Sequence, residues 1–143
     1  MKDIVNGLLK KYGTNDPFEL CTYLDIQIIK EDLGRQIYGY LQRIDDFIIV
    51  HINNSIPYPL QRYCCAHELG HALLQPDLSI GFFIENPLLV KNKAEIEADR
   101  FAAELLIDVK DIDKHFFESM SVSQMSSYFE VPDELIEYKF NIK

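Results

Sequence analysis

Cysteine is scarce and odd in number: Cys21, Cys64 and Cys65 are the only three in 143 residues. Two of them are adjacent, which is poor geometry for a mutual disulfide, so a secreted disulfide framework is disfavoured and buried reduced thiols are expected. Positive charge is short as well, with 14 Lys and Arg against 23 Asp and Glu and a net charge of −9. Phosphate binding requires a basic surface, so direct contact with nucleic acid is not expected, whereas a basic protein partner is compatible. No apolar run approaches the roughly 20 residues that cross a bilayer, so no membrane association is expected either. The N-terminus carries Asn6, Lys10 and Lys11 where a signal peptide needs an unbroken apolar stretch, which points to the cytoplasm. Repeats, low-complexity tracts and Gly/Ser linkers are missing. Residues 1–143 are therefore read as a single domain, with 110–143 as a helical C-terminal subdomain.

What is present has a clear order. Residues 3–12 have helical spacing (Ile4, Leu8, Leu9, Tyr12) that stops at Gly13, and Asp16-Pro17 starts a short helix to Leu24. Three strands are predicted at Ile26–Lys30, Gln36–Ile44 and Phe47–Ile52, the last two joined by an Asp45-Asp46 turn. A helix follows from about Leu60 to Leu74 and is closed by Pro76. Residues 75–91 read as a long apolar connection, of the kind that is often functional. A helix over Lys93–Ile107 comes next, then one opened by a Ser121/Gln124 capping box and one near Pro132. The class is α+β: a small sheet followed by helices.

The chemistry concentrates in His67-Glu68-Leu69-Gly70-His71. Histidines four apart on a helix project from one face and can share one zinc ion. Glu68 sits at the mouth of that face, where a carboxylate can take a proton from a metal-bound water and hand it to a leaving amine. Gly70 costs a helix about 1 kcal/mol relative to Ala, so a packing reason is expected, namely close approach of a second helix through Ala98 and Ala102.

That second helix supplies the third ligand. Glu95, Ala98, Asp99, Ala102, Leu105 and Leu106 form one inward stripe, and inward carboxylates need a cation or a donor to offset desolvation. Glu95 is assigned to the metal and Asp99 to a histidine ring N–H behind it. The competing role for Glu95 is a capping box with Asn92. Glu97 lies about 200° around the helix from Glu95 and is read as a solvated partner of Arg100.

With both segments in view, the chain resembles the ImmA/IrrE family of metallopeptidases. The likeness rests on Ala66-His67-Glu68-Leu69-Gly70-His71-Ala72-Leu73-Leu74 and on Glu95-x-Glu97-Ala98-Asp99-x-Phe101-Ala102-Ala103-Glu104-Leu105-Leu106, in that order. The resemblance implies a zincin-like metallopeptidase core, one zinc ion held by His67, His71 and Glu95, and Glu68 as catalytic base. It implies further a zinc endopeptidase that cleaves a DNA-binding repressor of a mobile element or stress response. A metal-bearing partner-binding module with little hydrolysis is the other functional class, and the intact Glu68 favours the enzyme. One departure is visible: the family often continues Leu-Leu-Met-Pro, and here Leu106 is followed by Ile107-Asp108.

Other signals are weaker. Cys64 lies one turn before His67, and a buried apolar thiol is favoured over a ligand or redox switch. His51 and His115 have no ligand-like spacing. Tyr58, Tyr63 and Tyr128 are among the possible donors to an oxyanion, and nothing selects one. The tail from Ser121 has the outline of a helix-turn-helix, but Asp133, Glu134 and Glu137 against Lys139 would repel phosphate.

Overall fold

The computed structural model describes residues 1–77, 80–84 and 92–142, with 80–84 described as backbone only. Helix α1 (Lys2–Tyr12) ends on Gly13, whose φ of 70° is the left-handed conformation that glycine adopts without strain. Helix α2 (Pro17–Tyr23) begins with the Asp16 side chain accepting the Phe18 N–H. Strands β1 (Gln27–Glu31), β2 (Ile37–Ile44) and β3 (Phe47–Asn53) follow, then helix α3 (Tyr58–Leu74), strand β4 (Ile80–Ile84) and helix α4 (Lys93–Leu106). Three short helices close the chain: α5 (His115–Glu118), α6 (Val122–Phe129) and α7 (Asp133–Phe140).

The sheet has the order β1-β3-β2-β4. β2 and β3 form the expected antiparallel hairpin, with Asp45 at φ 52° in its turn, and β1 joins β3 in parallel. Strand β4 was not anticipated: part of the 75–91 segment adds to the free side of β2 in antiparallel register, Gln42 opposite Ile80. The alternation that marks a half-buried strand is weak in Ile-Gly-Phe-Phe-Ile, so only its partner reveals it. The remainder of that segment, 78–79 and 85–91, lies outside the described residues.

Helix α3 is the centre of the molecule. From Tyr63 to Ala72 every residue is buried, because the sheet covers one side and α4 the other. Leu41, Val50 and Ile52 of the sheet, Leu69 of α3 and Phe101 and Leu105 of α4 are all fully inaccessible. Burying side chains of this size contributes about 1.5–3 kcal/mol each. Two glycines make the layers possible. A β-carbon on Gly39 in β2 would collide with the Cys64 Sγ of α3 and the His51 carbonyl, and one on Gly70 would press on Ala98 and Phe101. The expected Gly70 contact with α4 is thus present, through Ala98 and Phe101. α4 ends at Leu106, and Ile107 remains buried with its N–H donating to the Ala103 carbonyl, so the departure at Ile107-Asp108 leaves the core intact.

Candidate metal centre

A helix buried on all sides cannot keep His67, Glu68 and His71 without partners, since each uncompensated polar group costs several kcal/mol in an apolar setting. Their partners come from α4. Asn92 caps that helix by accepting the Glu95 N–H at 3.0 Å, which fixes its first turn. The Glu95 side chain turns away from the cap and reaches across: Oε2 lies 3.1 Å from His67 Nε2 and Oε1 lies 2.8 Å from His71 Nε2. The two histidine ε-nitrogens are 3.1 Å apart, their rings edge to face, as one helical turn dictates. The donor atoms of His67, His71 and Glu95 all lie within 4.8 Å of one another.

Behind His67, Asp99 Oδ1 accepts from Nδ1 at 2.8 Å and from the Tyr63 hydroxyl at 2.8 Å, with Asp99 fully buried. That bond leaves Nε2 to face the cluster, the tautomer that a ligating histidine needs. Tyr63 therefore supports Asp99. Tyr58 stacks on Phe18 and is exposed, and Tyr128 lies among Phe116, Phe117 and Phe129.

Sequence reasoning missed the group behind His71. Gln75, one turn further along, places Oε1 2.6 Å from His71 Nδ1, and its Nε2 donates to Glu97 Oε2 at 3.1 Å. The solvated Glu97–Arg100 pair is replaced by this contact, while Arg100 lies over the Tyr138 ring. Glu97 faces away from Glu95, as its rotation requires, but the long Gln75 side chain at the end of α3 reaches it. The signal was available: an amide four residues after a histidine, just before the helix-ending Pro76.

The electrostatics follow from burial and these contacts. Burial pulls the His67 imidazolium down, but hydrogen bonds to Asp99 and Glu95 outweigh it and lift the group to about 10. Burial pushes the Glu95 carboxyl up, and the two histidines overcome this and hold it well below the ordinary range. For Glu68 burial prevails. Burial lifts it to about 7 against the pull of His67 and His71, and its Oε2 has no hydrogen-bond partner among the described residues. Burial, followed by the nearby Glu68, pushes the Cys64 thiol well up, which suits an inert core residue. His51 is satisfied by Glu31 and Gln42.

The residues fit a divalent metal. Two imidazole nitrogens and one carboxylate converge, the set suits a borderline-soft ion such as zinc, and it adjoins the buried Glu68 carboxylate, whose Oε2 is unpartnered among the described residues. Two histidines four apart with an intervening glutamate, joined by a glutamate on a packed helix, define the HExxH class of metal centre.

The comparisons agree with that class. Residues 21–141 match the peptidase family described as IrrE N-terminal-like domain. Metallopeptidase ImmA of Bacillus subtilis (strain 168) is 33% identical over 145 residues, covering 99% of this chain and 84% of that protein. Uncharacterized immunity region protein 2 of Bacillus phage phi105 is 32% identical over 139 residues, covering 97% of this chain and 88% of that one. The chain belongs to the IrrE N-terminal-like peptidase family, and membership implies a peptidase that works with a metal ion.

Proposed function

We propose that the protein is a cytoplasmic zinc endopeptidase. Its substrate is a DNA-binding repressor of a mobile element or stress response, and residues 1–143 form one zincin-like catalytic domain with 110–143 as a helical subdomain. One observation carries the reading: the Glu95 carboxylate spans the ε-nitrogens of His67 and His71, beside the buried Glu68, whose Oε2 has no hydrogen-bond partner among the described residues. His67, His71 and Glu95 would hold the ion, and Asp99 would orient His67. When bound, zinc supplies Lewis acidity toward a carbonyl and toward water. Glu68 takes the proton of the attacking water and returns it to the leaving amine, as a single group acting first as base and then as acid.

The substrate reading has its own support. A relative named for a phage immunity region suits a mobile element, and a net charge of −9 suits a basic DNA-binding partner. Strand β4 stands at the end of the sheet order, with no strand beyond it among the described residues. Its Ile80 end pairs with Gln42, next to Arg43, whose Nη2 donates to the Ala72 and Gln75 carbonyls at the His71 end of α3. A substrate segment added to that edge as a further strand would run beside the centre.

The test is cleavage of a repressor encoded beside this gene by metal-replete protein, with Glu68→Gln as control. Stoichiometric zinc and cleavage lost in the variant are expected. No zinc by elemental analysis overturns the metal centre. Wild-type cleavage by Glu68→Gln favours a partner-binding module instead.

A further inference from the structure

His71 presents Nε2 to Glu95 and to His67, and in the neutral ring that binds a metal the other nitrogen decides whether Nε2 carries a proton or a lone pair. The chain His71–Gln75–Glu97 settles that choice. A carboxylate accepts and does not donate, so the Gln75 side-chain nitrogen must face Glu97 Oε2, 3.1 Å away. The Gln75 oxygen is then the atom 2.6 Å from His71 Nδ1, and an oxygen there requires Nδ1 to bear the hydrogen. In the neutral imidazole, the form that ligates a metal, Nε2 is then left with its lone pair directed at the cluster. The amide is also fixed through its backbone: the Gln75 N–H donates to the His71 carbonyl at 3.0 Å, and the Gln75 carbonyl accepts from Arg43 of β2 at 3.2 Å. Gln75 thus hangs from both the end of α3 and the sheet.

The two histidines are served differently. His67 rests on a buried carboxylate, Asp99, whereas His71 rests on a neutral amide whose own partner, Glu97, is 37% exposed and lies 4.0 Å from Lys93. Both supports come at least in part from α4, the helix that carries Glu95. A single element therefore sets the third donor atom and the tautomer of both histidines.

We infer that Gln75 and Glu97 are positioning residues of the metal centre: Gln75 fixes the tautomer and ring orientation of His71, and Glu97 fixes the amide of Gln75. The inference rests on the reading that His67, His71 and Glu95 hold a metal. Groups that orient ligating histidines in this way are typically worth about 10- to 100-fold in metal affinity.

The experiment is zinc affinity by chelator competition, together with the visible absorption spectrum of the cobalt-substituted full chain. Gln75→Leu, close in size and without an acceptor, should weaken zinc about 10- to 100-fold and alter the cobalt bands, with Glu97→Ala weakening zinc less. Gln75→Glu alone sets two carboxylates against each other and should also weaken binding. Adding Glu97→Gln exchanges donor and acceptor along the chain and keeps an acceptor on His71, so the double variant should recover most of the affinity and the cobalt spectrum. A general structural role would show no such recovery, and its absence would overturn the inference. Wild-type affinity and spectrum in Gln75→Leu would overturn it too, while loss of zinc in Glu95→Ala would leave the metal centre standing. Wild-type protein that binds no zinc would remove both. If Gln75→Leu does not fold, nitrogen NMR of the zinc-loaded wild type decides: His71 protonated at Nδ1 is expected, and the opposite tautomer overturns the inference.

Discussion

A β-carbon built on Gly70 would stand 3.2 Å from the Ala98 Cα and 3.1 Å from the Phe101 Cδ1. The helix that carries the two histidines and the helix that carries Glu95 therefore touch backbone to backbone one residue from His71. Gly70→Ala should change stability by no more than about 1 kcal/mol, because the gain in helix propensity opposes the tight contact. Gly70→Leu cannot be accommodated without separating the helices. It should cost roughly 1–3 kcal/mol by urea denaturation and weaken zinc binding at the same time. Full metal affinity in Gly70→Leu would contradict this account of the centre.

Glu95→Ala removes a side chain that reaches both histidines. Tight zinc binding should be lost, as read by chelator competition, while Asn92 still caps α4 through the backbone N–H of residue 95. Retained tight binding would require a different third donor.

Metal removal should destabilise the protein. At a free zinc concentration of about 100 times its dissociation constant, binding to the native state adds roughly 2.7 kcal/mol. For a domain near this size that is a Tm rise of roughly 10 °C over the chelated protein. Equal melting temperatures with and without chelator would speak against a metal held by the folded state.

A metal held by His67 would compete with a proton for the same nitrogen. Since His67 in the metal-free protein is lifted to about 10, it is protonated across the neutral range and zinc must displace that proton. Affinity should therefore rise about tenfold per pH unit between roughly pH 6 and 8 from this group alone. Glu95, held below its ordinary range, stays ionised throughout and adds nothing to the slope. The same shift acts on the metal-free fold. Its stabilisation by charged His67 is complete below the unfolded value of 6.5 and is lost as pH climbs toward 10. Isothermal titration in buffers of different ionisation heat measures the released proton directly, and a pH-independent affinity would refute the competition.

Cys21 and Cys65 place their sulfurs 3.8 Å apart in the core, and all three thiols are buried. Burial pushes the Cys64 and Cys65 thiols well up, so little thiolate forms at neutral pH. A thiol reagent should label the native protein slowly and all three cysteines promptly in denaturant. Rapid labelling of the native fold would contradict the buried, reduced state.

Local physics makes much of this molecule legible in its sequence. The helical period set α1, α3 and α4 to within a few residues, Ser121 and Gln124 form the expected capping box, and the Asp45-Asp46 turn joins β2 to β3. The inward stripe on α4 singled out Glu95 and Asp99, because acids on a packing face need partners whatever the fold. Tertiary structure alone decided the rest. The parallel pairing of β1 with β3 and the addition of β4 to β2 depend on hydrogen bonds between segments far apart in sequence, which no local pattern specifies. The roles of Tyr63 on Asp99 and of Gln75 between His71 and Glu97 depend on which side chains meet when α3 and α4 close on each other. Periodicity tells which face of a helix turns inward. The depth and rotation of the packed pair decide what each long polar side chain on that face, or at its end, can reach.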